Sequence, residues 1–419
     1  DGRSLSEARI AAYEQGWVHR ALRLQALLDE SVPLRVGLIP ATHNSFNSEV
    51  YPPTLSGLDH NQVYSLTDQL RMDMRGLELD VHWFPSPYGD LADGGFAPIL
   101  CHGQVVDVGP VPAHLGCTIE RHLREGLAEI RAWLDANPTE FLLLYLENNL
   151  DGDAQAHDAA ARAIAAELGE LVLRPPDGAP CAPMPAGESR RSILDGGHRV
   201  LIVGNCGPGA WGTWVHERGP VWSESSSPAG DDYPDYPQCA AAAGERQQHE
   251  YDTHFIRFFE DSTWLTVMVS GGPSEITLAD TGRMVRCGVN LTGFDQLVPA
   301  DPRLEAIVWS WAKDEPASDA TLRCARLGED GRFHATDCST NDLRYACRKP
   351  DGSWAVTAQT GPWAGGFATC ALAGSSFSVP ATGYENEQLK DARGPSGRVW
   401  LNYAVSASDG RWTPNATSP

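Results

Sequence analysis

The sequence predicts an α/β chain: a TIM-type (β/α)8 barrel within residues 1–300, followed by a smaller domain over 301–419. Three observations lead there. Near-continuous apolar runs of strand length alternate with helix-like stretches up to about Pro299, which is what a parallel sheet covered by helices requires. Eight such runs can be drawn, and a barrel of ~250 residues fits the span 30–300. Beyond residue 300 the chain becomes Trp-, Gly- and Ser-rich and its charge changes. Residues 1–300 hold 20 Arg, no Lys and 41 acidic residues, net −21, whereas 301–419 hold 9 Arg, 3 Lys and 14 acidic residues, net −2.

Taken in order, Leu5 to Leu28 carries Ile10, Tyr13, Trp17, Leu24 and Leu28 at helical spacings, an amphipathic helix that packs on the chain after it. Strands are expected at Leu34–Pro40, Gly76–Val81, Pro98–His102, Phe141–Leu146, Val200–Val203, Val221–Ser223, Leu265–Ser270 and Val289–Phe294. Helices are expected between them, at Thr118–Ala136 and Ala154–Leu171 among others.

Composition narrows the function. A net charge of −23 over 419 residues argues against a nucleic-acid binder and against electrostatic adhesion to anionic lipid. The longest apolar run, Phe141 to Leu146, is far short of a membrane span. Ten cysteines without a C-x-x-C pair predict up to five disulfides in an exported, extracellular protein. Pairing of sequence neighbours is the simplest scheme, because short loops close at least entropic cost; free buried thiols are the alternative. The chain opens at Asp1, which fits a removed leader or a trimmed terminus.

The unusual polar residues fall at strand ends. His43 and Asn44 follow the first strand, Glu78 and Asp80 lie two apart in the second, His102 ends the third and Glu147 the fourth. Residues two apart share one strand face, and the carboxyl ends of barrel strands form the active-site mouth, so the topology gathers all six. Taken singly each is weak: a lone histidine such as His82 reads first as a hydrogen-bonded structural residue, and Glu78 or Asp80 alone would pair with Arg71 or Arg75. Three carboxylates converging without cationic partners, however, call for a cation between them. Glu78, Asp80, Glu147 and the Asn44 amide oxygen form an all-oxygen set suited to calcium, with magnesium second; zinc would want nitrogen or sulfur. Histidines beside such an ion, without a nucleophilic Cys or G-x-S-x-G, point to acid–base phosphoryl transfer.

The set Thr42-His43-Asn44-Ser45, Leu77-Glu78-Leu79-Asp80, His102-Gly103 and Leu146-Glu147-Asn148 resembles, in order and spacing, the catalytic half of the calcium-dependent, eukaryotic-type phosphatidylinositol-specific phospholipases C. Gly293-Phe294-Asp295 is similar to that family's last strand. The resemblance implies calcium held by Asn44, Glu78, Asp80 and Glu147, where calcium-independent bacterial members place an Arg at the position of Asp80. It implies attack by the substrate's own inositol 2-hydroxyl on the adjacent phosphate. His102 protonates the leaving oxygen; His43 contacts the phosphate or acts as base, a task that Glu78 could take instead. Asp295 is implied as an orienting residue, and Arg257 and Arg218 are cation candidates for substrate binding chosen by location. The lysine-free barrel departs from family members that hold polyphosphorylated head groups. Glycerophosphodiesterases share the barrel, metal and histidine logic but usually open on His-Arg-Gly, where this chain has His43-Asn44-Ser45.

In the C-terminal part, Trp309-Ser-Trp311, Cys324, Phe333, Asp337-Cys338 and Tyr345-Ala-Cys347 resemble the second half of a C-type lectin-like domain. Trp363, Cys370, Tyr384-Glu-Asn386, Val399-Trp-Leu-Asn-Tyr403 and Gly410-Arg-Trp412 resemble its first half, the order a circular permutation gives, with Cys324–Cys338 and Cys347–Cys370 implied as pairs. The usual calcium-sugar triplet is incomplete at Glu315-Pro316-Ala317. The tryptophans read first as core, second as a glycan-binding face. Asn290 and Asn415 open glycosylation sequons. The expectation is a secreted, monomeric, calcium-dependent phosphodiesterase acting on an inositol phospholipid or related inositol phosphodiester, with peripheral membrane contact and a glycan as further partners. A catalytically silent glycan-binding protein is the competing reading.

Overall fold

The computed structural model describes residues 2–51, 59–89, 93–107, 112–226, 233–239, 254–263, 268 and 274–415. Two helices open it, α1 (Gly2–Glu14) and α2 (Trp17–Leu28). The single helix expected over Leu5–Leu28 breaks at Gly16, whose amide bonds back to the Tyr13 carbonyl at 2.8 Å. A Cβ there would lie 3.0 Å from that same oxygen.

The strands that build the site are β1 (Ile39–Thr42), β2 (Gly76–Pro85), β3 (Phe96–Leu100), β4 (Gln104–Asp107), β5 (Pro112–Leu115), β6 (Leu142–Asn149), β7 (Val172–Leu173), β8 (Val200–Gly204), β9 (His216–Glu217), β10 (Trp222–Ser226), β11 (Phe255–Phe259) and β12 (Leu291–Phe294). Helices α3 (Leu66–Arg71), α4 (Leu123–Ala136), α5 (Ala154–Glu167), α6 (Arg190–Asp195), α7 (Leu278–Arg286) and α8 (Pro302–Ile307) lie between and after them. The main sheet runs β10-β11-β12-β1-β2-β6-β8 in parallel, with β7 and β9 paired to opposite ends of β8. Among the described residues β9 and β10 form no ladder, so the sheet is a curled parallel half-barrel rather than the closed eight-strand ring the sequence suggested. The two-residue β9 gives way to a 3-10 turn containing Pro220, and proline has no N–H for a ladder.

Two further strands differ from expectation. The third run is not a barrel strand: β3 pairs antiparallel with the outer half of β2. Ten residues separate β2 from β3, and a parallel crossover needs about a dozen or more. The run Leu265–Ser270 lies outside the described residues except for Met268, and the strand before β12 is β11, which the apolar pattern missed because Arg257 interrupts it.

Both faces of the central strands are buried, as a helix-covered sheet demands. Leu143, Tyr145, Leu201, Val203 and Leu291 fill the inside of the curl. Leu77, Leu79, Val81, Leu142, Leu144, Val200 and Ile202 pack outward against α3, α4 and α5. No helix among the described residues is long and apolar enough to cross a membrane.

Residues after 307 form a seven-stranded sheet of β13 (Cys324–Leu327), β14 (Phe333–Thr336), β15 (Arg344–Arg348), β16 (Trp354–Val356), β17 (Ser376–Phe377), β18 (Val399–Val405) and β19 (Trp412–Pro414). Helices α9 (Gly365–Leu372) and α10 (Gly383–Arg393) complete this part. Trp309, Trp311, Trp354, Trp363 and Trp400 are buried, so they are core and not an exposed aromatic face. Gln25 of α2 accepts from the Trp309 and Ser310 amides, which fastens the first helices to the C-terminal part. All ten cysteines pair with sequence neighbours: Cys101–Cys117, Cys181–Cys206, Cys239–Cys287, Cys324–Cys338 and Cys347–Cys370. Asn290 is fully buried and its amide donates to the Gly37 carbonyl at 2.9 Å, which closes that sequon in the folded chain.

Candidate active site

The β2–β6 register sets the acidic pair. Glu78 stands opposite Tyr145 and Asp80 opposite Glu147, and carboxylate oxygens of Glu78, Asp80 and Glu147 all lie within 4.8 Å of one another. Asn44 joins them from the end of β1 in a left-handed conformation, φ 42°, which asparagine tolerates better than most residues. Ser45 holds this turn in place: its hydroxyl accepts from the Glu78 amide at 2.9 Å and contacts the Thr42 hydroxyl at 2.7 Å.

Burial, then the Glu147 and Glu78 charges, push the Asp80 carboxyl well above the usual carboxylate range. The Asn44 amide atom nearest Asp80 lies 2.9 and 3.0 Å from its two oxygens. As nitrogen it donates there; as oxygen it faces two acceptors, the arrangement a cation resolves. Three carboxylates and an amide oxygen are the donor chemistry of a hard divalent ion, so these residues fit calcium or magnesium. Glu78 also has a cationic partner, and it is neither Arg71 nor Arg75. Arg257, 2% exposed, reaches Glu78 with one nitrogen and Glu224 with another. Arg71 and Arg75 are engaged elsewhere, with Glu7 and Glu14 and with Glu140.

His43 sits against this cluster. Its Nδ1 lies 3.2 Å from Asp295 and its Nε2 3.8 Å from Glu78. Burial opposes its charge, but the two carboxylates outweigh that cost and push the ring up to about 9. His102 follows β3, and burial, then the His43 charge, lower its affinity for a proton. The Cys101–Cys117 disulfide anchors the turn, and a Cβ at Gly103 would lie 2.7 Å from Cys117 Sγ. Arg218 donates to Tyr145 at 2.8 Å and Glu224 at 2.7 Å. Asp295 is 1% exposed, turned toward His43, Asn61 and Ser262. His82 is buried against His114, with 2.8 Å between their Nδ1 atoms.

The family described as the Rv2075c PI-PLC-like domain matches residues 3–301. The chain belongs to that family. Two Mycobacterium tuberculosis relatives, "Uncharacterized protein MT2135" of strain CDC 1551 / Oshkosh and "Uncharacterized protein Rv2075c" of strain H37Rv, are each 39% identical over 422 residues, covering 96% of this chain and 82% of theirs. Among solved structures, the phosphatidylinositol-specific phospholipase C of Listeria monocytogenes is 13% identical with a TM-score of 0.43, covering 69% of this chain and 97% of that one. The F249X mutant of the Staphylococcus aureus enzyme is 12% identical with a TM-score of 0.40, covering 68% and 96%. At the family level the PI-PLC-like chain is a phosphodiesterase.

The PI-PLC-like core also contains residues that sequence reasoning did not single out. His60, Asn61 and Gln62 strap the ends of β1 and β12 together. Gln62 Nε2 donates to the His43 and Phe294 carbonyls at 2.6 and 2.8 Å. Asn61 Nδ2 donates to Asp295 at 3.1 and 3.2 Å. Gln69, fully buried in α3, donates to the Ser45 carbonyl at 2.9 Å. Amides in loops and short helices have no periodicity to announce them, and only the folded connection reveals their partners.

Proposed function

We propose that the chain is an exported, calcium-dependent phosphodiesterase of the phospholipase C type, cleaving phosphatidylinositol or a related inositol phosphodiester through a cyclic phosphate. The observation that carries the reading is the meeting of His43 with the Glu78–Asp80–Glu147–Asn44 oxygen cluster, just past the end of β1, within the first half of β2 and near the end of β6. Five disulfides support export. A hard divalent cation bound by those four residues would supply charge stabilisation to the phosphate in the transition state.

On this reading the inositol 2-hydroxyl oxygen bonds to phosphorus as the bond to the leaving oxygen breaks. The hydroxyl proton passes to His43 or Glu78, and His102 gives a proton to the leaving oxygen. His43, when charged, also stabilises the phosphate it touches. Arg257 bridges Glu78 and Glu224 from inside the curl and Arg218 pairs with Glu224 as well. Both guanidiniums are therefore engaged by carboxylates, and the barrel part contains no lysine. That favours a head group with a single phosphodiester over a polyphosphorylated one. The C-terminal part is proposed as a permuted C-type lectin-like accessory domain on the order of its cysteine and tryptophan motifs.

The test is cleavage of phosphatidylinositol vesicles, phosphatidylinositol bisphosphate vesicles and soluble glycerophosphodiesters, read as release of water-soluble phosphate esters from the two lipids and as conversion of diester to monoester for the third, in calcium and in chelator. Calcium-dependent release from phosphatidylinositol above the other two supports the reading. Preferential turnover of glycerophosphodiesters replaces it with the glycerophosphodiesterase alternative.

A further inference from the structure

A chain of side-chain hydrogen bonds joins the two histidines behind the site. His43 Nδ1 lies 3.2 Å from Asp295 Oδ1. Asn61 Nδ2 reaches both Asp295 oxygens, at 3.1 and 3.2 Å. Asn61 Oδ1 accepts from Asn47 Nδ2 at 2.8 Å, and the same Asn47 nitrogen lies 3.3 Å from His102 Nδ1. Asn61 is fully buried and Asn47 is 4% exposed, so neither amide can trade these partners for bulk water.

Each orientation in the chain follows from the one before. An ionised carboxylate only accepts, so Asp295 requires a proton on His43 Nδ1 and the nitrogen end of the Asn61 amide. The Asn61 oxygen then faces Asn47, which must present its own nitrogen. That nitrogen has two protons for three neighbours, the Asn61 oxygen, the Asp59 carbonyl at 2.9 Å and His102 Nδ1, and it has nothing to accept with. In the neutral His102 ring, Nδ1 is therefore the bare nitrogen and Nε2 carries the proton. Which ring nitrogen is protonated is set by what the other one meets.

We propose that Asn61 and Asn47 are positioning residues that relay the polarity of the Asp295 carboxylate to His102, fixing its proton on Nε2 while His43 keeps one on Nδ1. Backbone bonds hold the relay rigid: the Gln62 amide donates to the Asn47 carbonyl at 2.9 Å and the Gln296 amide to the Asn61 carbonyl at 2.7 Å. The functional consequence rests on the proposed phosphodiesterase reading: His102 gives a proton to the leaving oxygen from its charged ring and ends neutral, and the Asn47 donor facing Nδ1 makes that charged ring the readier to give a proton up.

The experiment is nitrogen NMR of the full chain with labelled histidine rings, at a fixed pH where His102 is neutral. The wild type is expected to show His102 protonated at Nε2. Asn47→Asp has the shape of asparagine but replaces the donor with an acceptor, and is expected to move the proton to Nδ1. Asn61→Leu leaves the Asn47 nitrogen with the Asp59 carbonyl and His102 Nδ1 as its acceptors, and is expected to keep the His102 proton on Nε2. A wild-type His102 protonated at Nδ1, or an Asn47→Asp spectrum identical to wild type, overturns the relay. In turnover, Asn47→Asp is expected to lower kcat by about tenfold to a hundredfold with KM near wild type; an unchanged kcat overturns the functional consequence. A wild type that turns over no inositol phosphodiester defeats the functional reading alone, because the ring spectra test the relay without substrate.

Discussion

Asp80 on β2 and Glu147 on β6 are register partners on two hydrogen-bonded strands, two acids set side by side at the mouth of the curl. Arg257 compensates Glu78, but among the described residues no guanidinium or ammonium pairs with Asp80 or Glu147. The cluster therefore stores repulsion that a bound cation or a proton relieves.

Replacing Asp80 by Asn removes one charge from that cluster. In chelator the Asp80→Asn chain is expected to be more stable than wild type by on the order of 1 kcal/mol. In calcium the order is expected to reverse, because on the proposed reading the variant lacks one ligand. Thermal unfolding of both proteins with chelator and with calcium checks this; an equal calcium response in the two chains would remove Asp80 from the ligand set.

Arg257 is buried between two carboxylates. Arg257→Met leaves Glu78 and Glu224 without their shared cation, and truncating one partner of a buried pair costs about 3–5 kcal/mol. Urea unfolding should show a loss of that size, with Arg257→Lys recovering part of it.

Glu260 gives the chain a pH dependence away from the Glu78–Asp80–Glu147 cluster. Burial pushes its carboxyl up to about 7, against Arg303 and the Asp295 and Ile276 amides, which favour its charge. A folded-state value above the unfolded one means the folded chain binds the proton more tightly. The resulting stability is complete below about pH 4.5 and is lost as pH rises through about 7, a change on the order of 3 kcal/mol. Denaturant unfolding across pH 4–8 should show that slope, flattened in Glu260→Gln.

The Cys101–Cys117 disulfide encloses the hairpin β4–β5 beside His102. Serine at both positions removes a loop constraint worth about 3 kcal/mol in the chain-entropy account. It also loosens the turn that holds His102, so kcat is expected to fall more than stability alone explains; activity measured well below the melting temperature separates the two effects.

Much of the site was legible because its chemistry sits at strand ends. Glu78 and Asp80 share a strand face by simple alternation, and β6 was readable from its unbroken apolar run, which delivers Glu147 at its end. The rest was hidden for definable reasons. Arg257 is a cation candidate by location alone, and its charge breaks the apolar run of β11, which the sequence does not announce as a strand; its partners lie 33 and 179 residues away. β3 has the composition of a barrel strand and folds back only because its connection is short. Asn47, Asn61 and Gln62 lie in loops where polar residues are ordinary, and their role exists only through Asp295 and His43, which the fold brings to them.

Calcium-dependent cleavage through both histidines is tested by phosphorus NMR of phosphatidylinositol mixed with the protein, in calcium and in chelator, beside His43→Ala and His102→Ala. A cyclic inositol phosphate resonance that appears only with calcium and with both histidines is the predicted result. Intact lipid with the calcium-loaded wild type, or the same cyclic product in chelator, would contradict it.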